Sequence, residues 1–136
     1  MGFLIRSSLF AVVAVLVFGA VAIAQEQLKY RNVTVREALQ LIESVDSLVV
    51  LDVRTKEEFK GQLGHLQDAV LIPIQELERR IHELDGYKSK EILVYCRTGR
   101  RSAQACEILS AKGFKVYNLL GGIVDWRKLE EKQKKD

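Results

Sequence analysis

The chain has 136 residues, of which 48% are hydrophobic and 29% are charged, and its formal net charge is +3. This profile is typical of one globular domain and excludes disordered and collagen-like chains. Much of the positive excess lies among the alternating charges between Arg127 and Lys135, a pattern typical of a solvated end. We therefore expect no nucleic-acid partner.

Residues 1–24 form a separate segment. Arg6 gives a short basic start, and residues 9–24 follow without a charge and end in small residues. This pattern predicts a secretory signal peptide that is cleaved before Gln25. The alternative is a retained N-terminal membrane anchor, since a span needs about 17–25 apolar residues. We favour cleavage because the apolar stretch is short, and we expect an exported protein, periplasmic or secreted, with no stable membrane association.

Cleavage would leave one compact unit. Arg6 is the only charged residue that it removes, so the mature chain keeps a net charge of +2. Its length suits one modest hydrophobic core. No internal repeat, low-complexity segment or long linker interrupts it.

Helical and strand patterns alternate along the mature chain. Thr34 and Glu37 have the spacing of a capping box, and apolar residues follow at helical intervals to about Glu43. Apolar runs rich in β-branched residues predict buried strands further on. In chain order, the patterns predict a strand at 48–53, a helical turn at 57–59, a strand at 69–73, a helix at 74–86, a strand at 91–95, a helix at 101–112, a strand at 115–119 and a short terminal helix with Trp126.

This order of elements predicts an α/β fold with a mostly parallel central sheet and helices on both faces, joined by right-handed crossovers. In such sheets ligands bind outside the carboxyl ends of the strands. Asp52 and Cys96 both lie at such ends. We therefore expect the functional site at this edge of the sheet.

The loop that follows the strand at 91–95 reads Cys96-Arg97-Thr98-Gly99-Arg100-Arg101-Ser102. A short arch between a strand and a helix aims backbone N–H groups at the cysteine sulfur, and the helix N-terminus adds partial positive charge. The three arginines add more positive charge, and Gly99 lets the loop turn tightly. The alternative is a structural cysteine at the end of a strand, followed by arginines that only contact solvent. This alternative explains the combination of residues poorly. We predict that Cys96 is a thiolate nucleophile in a cradle that also binds an anionic substrate.

The arginine spacing separates two chemistries. Cysteine phosphatases hold the oxyanion in a loop with an arginine six positions after the cysteine, and here that position is Ser102. Arg101 comes one residue earlier. The resulting ring suits a single sulfur atom on the cysteine better than a tetrahedral oxyanion, so a cysteine phosphatase or arsenate reductase is the less favoured interpretation.

Cys106 is the second cysteine, ten residues after Cys96 and near the middle of the predicted helix. A disulfide between them would require Cα atoms within about 7 Å and would sequester the nucleophile. We interpret Cys106 as a small buried apolar residue rather than a resolving thiol.

Four pieces of sequence occur in a characteristic order. They are Asp52-Val53-Arg54 with Glu58-Phe59, Gly64-His65-Leu66 with Ala69 and Ile72-Pro73, the loop 96–102, and Gly121-Gly122 with Trp126. Together they resemble the rhodanese family of sulfurtransferases. The resemblance implies a three-layer rhodanese-like fold over residues 32–129, with a short lead at 25–31 and a charged tail at 130–136.

The resemblance also implies a reaction. Cys96 would take sulfane sulfur from thiosulfate or a related anionic donor and hold it as a persulfide. A thiophilic acceptor, such as cyanide, a thiol or a protein cysteine, would then remove it. No cofactor and no metal is implied. A persulfide relay module that serves a dedicated protein partner is the alternative.

Roles for individual residues follow from the same resemblance. Substrate contacts are expected from the loop residues Arg97, Thr98, Gly99, Arg100 and Arg101, with Arg97 and Arg100 steering the anionic donor. Support for the loop is expected from Asp52, Arg54, Glu58 and Ser102. We expect Arg101 to pair with Asp52, and Arg54 to pair with Glu58.

Two further positions are interpreted as structural. Sulfur transfer to a preformed thiolate needs no general base, so His65 is assigned a structural place. Trp126 is assigned to packing. The sequence departs from the family in the segment 60–63, which is longer than the usual loop and lies next to the expected site.

Overall fold

A computed structural model describes residues 30–136. The expected signal peptide, residues 1–24, and residues 25–29 of the expected lead lie outside the described residues. The strands are β1 Arg31–Val33, β2 Val49–Asp52, β3 Val70–Leu71, β4 Glu91–Tyr95 and β5 Lys115–Leu119. They form one sheet in the order β1-β5-β4-β2-β3, in which every pair is parallel. The predicted parallel α/β architecture is confirmed.

In the part of the chain that the structure describes, five α-helices connect or follow these strands. They are α1 Val35–Ser44, α2 Lys56–Phe59, α3 Leu77–Arg80, α4 Arg100–Ala111 and α5 Gly122–Gln133. The helix α3 is flanked by two 3₁₀ segments, Ile74–Glu76 and Ile81–Tyr87. Within residues 30–136, no helix has both the length and the apolar character needed to cross a bilayer.

Side chains that alternate along β4 divide the core into two clusters. Ile92, Val94 and the following Cys96 lie in one cluster, which α4 and the 74–87 segment cover. Leu93 and Tyr95 lie in the other, which α1 and α5 cover. Because successive side chains of a strand point to opposite faces, this alternation requires a helical layer on each side of the sheet. The three layers implied by the sequence are therefore present.

The start of α1 follows the predicted capping box. The Glu37 N–H donates to Thr34 Oγ1 at 3.3 Å, and the Thr34 N–H donates to Glu37 Oε2 at 2.7 Å. The same arrangement, with Thr55 and Glu58 as the pair, begins α2. Each box satisfies backbone donors that the first helical turn leaves without partners.

Two elements differ from the prediction. The strand β1 lies in the segment assigned to the end of the short lead and the first domain residues, where no strand was predicted, and it pairs with β5. Its three residues are too few to show the alternation of apolar and polar side chains that is typical of a strand. The strand is therefore recognised only by its pairing with β5. The helix expected at 74–86 is broken into 3₁₀ and α segments. The three-residue spacing from Ile74 to Leu77, and from Ile81 to Leu84, suits a 3₁₀ helix as well as an α-helix.

Candidate active site

Cys96 follows β4 at the carboxyl edge of the sheet and is only 1% exposed. It begins a short loop that leads into α4, a helix of 12 residues that starts at Arg100. The Gly99 N–H donates to Cys96 Sγ at 3.1 Å, and Ser102 Oγ lies 3.4 Å from the same sulfur. The loop therefore surrounds the sulfur with donors, as the sequence predicts.

These donors outweigh the effect of burial on the thiol. Burial raises the pKa of Cys96. Hydrogen bonds from Ser102 Oγ and from the backbone N–H groups of Ser102, Gly99 and Thr98 lower the pKa, and together they lower it by more than burial raises it. The net pKa lies below the ordinary value of a thiol. A lowered pKa makes the thiolate, which is the nucleophilic form, more abundant at neutral pH.

Gly99 allows the loop to close against β5. Its φ is 103°, in the left-handed region that residues with a side chain rarely adopt. A Cβ at this position would lie 3.2 Å from the carbonyl oxygen of Leu119 and 3.3 Å from the nitrogen of Gly121. The glycine thus permits both the turn and the close approach of the two loops.

The N-terminus of α5 holds the outer side of residues 96–102, the candidate catalytic loop. The Ile123 N–H donates to the Cys96 carbonyl at 3.0 Å, and the Val124 N–H donates to the Arg97 carbonyl at 3.2 Å. A Cβ on Gly122 would lie 2.5 Å from each of these carbonyl oxygens. Because α5 binds the loop carbonyls, the loop N–H groups are left to face the sulfur.

The expected pairing of the two supporting arginines is wrong. Arg54, not Arg101, pairs with Asp52: its Nη2 lies 2.7 Å from Asp52 Oδ2, and both side chains are fully buried. Arg101, not Arg54, pairs with the Glu58 carboxylate, with two contacts of 2.7 Å. Arg54 lies only two residues beyond Asp52, so its side chain folds back onto that carboxylate. Arg101 lies in the first turn of α4, on the far side of the loop, and reaches α2 instead.

The buried Arg54 also ties down the segment that follows β2. It donates to the Gly64 carbonyl at 2.7 Å and to the Glu58 carbonyl at 3.3 Å. Its guanidinium carbon lies 5.4 Å from the centre of the Tyr95 ring. Asp52 and Arg54 therefore fix the wall beside the candidate catalytic loop, and their charged groups are paired with each other.

The rim of the site is cationic. Arg97, Thr98 and Arg100 are exposed. Neither Arg97 nor Arg100 has an ion-pair partner within residues 30–136. Beside Arg97 lies a cavity of about 420 Å³, whose walls include the longer segment through Gly61, Gln62 and Leu63. An anion that approaches Cys96 thus meets two arginines that form no ion pair with a carboxylate of the described part of the chain.

This geometry agrees with the match of residues 34–129 to the family model of the rhodanese-like domain. The chain belongs to the rhodanese-like domain family. The resemblance inferred from the sequence blocks is therefore confirmed at the level of the family.

Individual relatives of the rhodanese-like domain are similar over most of the described residues. A protein of Bacillus subtilis named as a putative sulfur carrier is 40% identical over 88 residues, which are 64% of this chain and 45% of that protein. The chain thus spans less than half of that relative. A thiosulfate sulfurtransferase of Escherichia coli is 39% identical over 75 residues, which are 55% of this chain and 70% of the enzyme.

Among solved structures, a rhodanese-related protein from Thermoplasma volcanium matches with a TM-score of 0.64 at 32% identity. The alignment covers 73% of this chain and 92% of that protein. The fold of the rhodanese-like domain is therefore shared over nearly the whole length of that relative.

One residue of the site was missed in the sequence. Asn118 lies on β5 with its side chain 2% exposed, and its Oδ1 is 2.6 Å from Ser102 Oγ. A polar residue on the covered face of a strand is costly unless it is hydrogen-bonded, and its place between Tyr117 and Leu119 was the available signal. Its partner could be identified only in three dimensions.

The remaining positions are placed away from the sulfur chemistry. Cys106 is fully buried in the core, and burial raises the pKa of its thiol. The ring of His65 stacks on Phe59 with centroids 3.7 Å apart. Trp126 is 8% exposed and donates from Nε1 to Glu130 at 2.9 Å. These contacts agree with packing roles for all three side chains.

Proposed function

We propose that the protein is a sulfurtransferase that carries sulfane sulfur on Cys96 as a persulfide. The observation that carries this proposal is the sulfur of Cys96 itself, which is buried and surrounded by donors from Gly99 and Ser102, with a lowered pKa. Two of the relatives bear the names sulfur carrier and thiosulfate sulfurtransferase, which supports the same chemistry.

Thiosulfate, or a related anion with a sulfane sulfur, is the proposed donor. The Cys96 thiolate attacks the outer sulfur, a new S–S bond forms, and the bond to the sulfonate sulfur breaks. Sulfite leaves with that electron pair, so no external oxidant or reductant is needed. Arg97 and Arg100 attract the dianion and its sulfite product.

The second half of the reaction returns the sulfur to an acceptor. The persulfide places its negative charge on the outer sulfur, which the loop N–H groups can stabilise. A nucleophilic acceptor, such as cyanide, a thiol or a protein cysteine, attacks this sulfur and releases the Cys96 thiolate. The Arg101–Glu58 pair keeps the loop in position during both steps, because it links the first turn of α4 to α2.

The geometry gives less support to phosphate or arsenate chemistry. Transfer of a tetrahedral oxyanion needs an arginine that reaches into the loop. Ser102 occupies the position where a phosphatase carries that arginine, and Arg101 is turned toward Glu58.

A persulfide relay is the second candidate. Leu120 is 44% exposed and follows β5 beside Gly99, so an apolar side chain lies at the rim of the site. In this second candidate function, Leu120 would contact the protein acceptor. A rate of transfer to a co-purifying protein that far exceeds transfer to cyanide or glutathione would favour the relay over an enzyme for small acceptors.

The mass of the protein after incubation with thiosulfate tests the proposal. The purified chain should gain the mass of one sulfur atom, and Cys96→Ser should abolish the gain. Cys106→Ala is the matched control and should keep it, since Cys106 lies in the core. A chain with intact Cys96 that gains no sulfur from thiosulfate, polysulfide or a persulfide thiol would overturn the proposal. Hydrolysis of an aryl phosphate that depends on Cys96 would favour the phosphatase instead.

We further propose that the chain is exported and acts in the periplasm or outside the cell. The support is the charge and hydropathy pattern of residues 1–24. N-terminal sequencing of the protein from its native cell should begin at Gln25. A sequence that begins at Met1 or Gly2 would contradict cleavage and favour an anchored or internal protein.

A further inference from the structure

A line of hydrogen-bonding side chains runs from the surface to the sulfur of Cys96. Asn32 on β1 lies at the exposed end, and its Oδ1 accepts from Asn118 Nδ2 at 2.9 Å. Asn118 Oδ1 lies 2.6 Å from Ser102 Oγ, which in turn lies 3.4 Å from Cys96 Sγ. The line joins two strands and a helix that are far apart in the sequence.

Ser102 is the branch point of this line. Its hydroxyl has one proton and two neighbouring acceptors, the sulfur of Cys96 and the Oδ1 of Asn118. The shorter distance, 2.6 Å, is the one to Asn118. A Cys96 thiol carries its own proton and can donate it to Ser102 Oγ, whereas a thiolate can only accept. The thiolate therefore competes with Asn118 for the same serine proton.

Rotation of the Asn118 amide by 180° reverses this competition. With Oδ1 toward Ser102, as in the structure, the amide competes with the sulfur for the hydroxyl proton and weakens the hydrogen bond to the sulfur. With Nδ2 toward Ser102, the amide donates, and the hydroxyl proton turns to Cys96. Asn32 accepts from Nδ2 in the first orientation, and because its side chain is exposed it can turn to follow the second.

We propose that Asn118 is a positioning residue for the nucleophile, whose amide orientation decides whether the Ser102 hydroxyl donates to the sulfur of Cys96. The inference deepens the proposed function and rests on it, because it assigns control of the thiolate that the sulfur transfer requires. It gives Asn118 and Asn32 a role in the reaction without contact to substrate.

The charged and ionisable groups around the sulfur lie elsewhere. Arg101 and Cys106, both on α4, lie close enough to Cys96 for its negative charge to raise the pKa of each. Arg97 and Arg100 are exposed at the rim. The side of the sulfur that faces β5 is thus reached by uncharged groups, so substitutions there change hydrogen bonding without changing charge.

The pH dependence of alkylation at Cys96 tests the proposal. The full chain is treated with iodoacetamide in the absence of any sulfur donor, and the Cys96 peptide is followed by mass spectrometry. Asn118→Leu keeps the shape of the side chain but cannot accept, so the sulfur becomes the only acceptor for the serine. We expect the apparent pKa of Cys96 to fall by about half a unit in this variant and to rise by about one unit in Ser102→Ala.

The double variant separates positioning from simple packing. If Asn118 acts through Ser102, then Asn118→Leu has no effect on the pKa of Cys96 in a Ser102→Ala background. An equal shift in both backgrounds, or no shift in either, overturns the proposal.

Asn32→Ala provides a test that does not depend on a core substitution. It removes the acceptor for Asn118 Nδ2 at an exposed position, so the pKa of Cys96 should fall by less than in Asn118→Leu. An unchanged or raised pKa in a folded Asn32→Ala protein contradicts the proposal. Since no sulfur donor is present, these results are independent of sulfur transfer. A chain that shows the pKa shifts but never gains sulfur would overturn the proposed function alone.

Discussion

At the scale of single residues, Cys96 combines burial with a lowered pKa, two properties that usually oppose each other. Burial in an apolar environment favours the neutral thiol. Here the Gly99 N–H and the Ser102 side chain are aimed at the sulfur and stabilise the anion more than burial destabilises it. Hydrogen bonds from the Ser102 side chain and from the loop backbone therefore favour the ionised form of this thiol.

The exposed arginines provide a prediction at this scale. We expect Arg97→Ala combined with Arg100→Ala to raise the KM for thiosulfate roughly thirtyfold, because each guanidinium contributes about 1 kcal/mol of attraction to the anion in water. The value of kcat should change little. Steady-state kinetics at increasing salt should also show a weaker salt dependence than in the unaltered protein.

Arg79→Ala is the matched control for this experiment. Arg79 is 74% exposed on α3 and lies 3.6 Å from Glu76, outside the site. It should leave the KM unchanged. A double variant at positions 97 and 100 with the KM and salt dependence of Arg79→Ala would show that the rim does not steer the donor.

At the scale of elements, the short helix α2 braces the catalytic loop through Glu58. The carboxylate accepts from the Thr55 N–H at 3.1 Å and completes the capping box of α2. It also accepts hydrogen bonds from both terminal nitrogens of Arg101. Four residues of helix could not persist alone, so the cap and the ion pair stabilise α2 and the start of α4 together.

The Glu58–Arg101 pair predicts a dependence of stability on pH. Hydrogen bonds from Arg101, opposed by burial and supported by the Thr55 N–H, lower the pKa of Glu58 to about 2. A lowered pKa in the folded state means that this stabilisation is present above about pH 4.5 and is lost as the pH falls toward 2. We expect Glu58→Gln to lower the free energy of unfolding by about 1 kcal/mol at neutral pH. The difference should disappear near pH 2 in urea titrations.

Glu57→Gln is the control at the adjacent position. Glu57 is exposed and is not part of the capping box. The free energy of unfolding of the Glu57→Gln protein should stay close to that of the unaltered protein throughout the pH range. A Glu58→Gln protein whose deficit is as large at pH 2 as at pH 7 would contradict an ionic origin.

At the scale of the whole molecule, the site is assembled where three distant segments meet. The catalytic loop follows β4, while α5 at the end of the domain binds its carbonyl groups. The segment after β2 supplies the third side through the buried Asp52–Arg54 pair. The parallel sheet brings the carboxyl ends of β2, β4 and β5 to one edge, so their loops must converge.

Gly122→Ala tests the contact between α5 and the catalytic loop. The added methyl would meet the carbonyl oxygens of Cys96 and Arg97 at 2.5 Å, at a φ of 55°. We expect a loss of about 3 kcal/mol in the free energy of unfolding, from overpacking and from the left-handed backbone together. The loop should also shift, so sulfur loading of the folded fraction should fall strongly. Denaturant titration and the mass of the loaded protein measure the two effects.

Two glycines outside the site separate these causes. Gly113→Ala meets no atom within 4 Å but keeps a φ of 88°, so it should cost about 1–2 kcal/mol without loss of loading. Gly86→Ala meets nothing within 4 Å and has no left-handed backbone, so it should be nearly neutral. If Gly122→Ala behaves like Gly113→Ala in both measurements, then α5 does not position the loop.

Most of the fold could be predicted because its determinants are local. The apolar runs at β2, β4 and β5, and the capping box at Thr34, are visible within a few residues. The strand β1 and the 3₁₀ segments were not predicted. A three-residue edge strand has too little pattern, and a 3₁₀ segment shares its apolar spacing with an α-helix.

The sequence by itself predicted Cys96 as the nucleophile, and it was enough to identify the loop that surrounds this residue and the family of the domain. The first two depend on residues that are neighbours in the sequence, between Cys96 and Ser102. The family depends on the four sequence blocks and their order along the chain. Only the tertiary structure decided which carboxylate pairs with which arginine. Arg54 and Arg101 both had Asp52 and Glu58 as possible partners, and the choice depends on where β2, α2 and α4 lie in space. For the same reason, only the tertiary structure identified Asn118 as part of the site. Its partner Ser102 lies on a different element, and the packing of α4 on β5 brings the two side chains together.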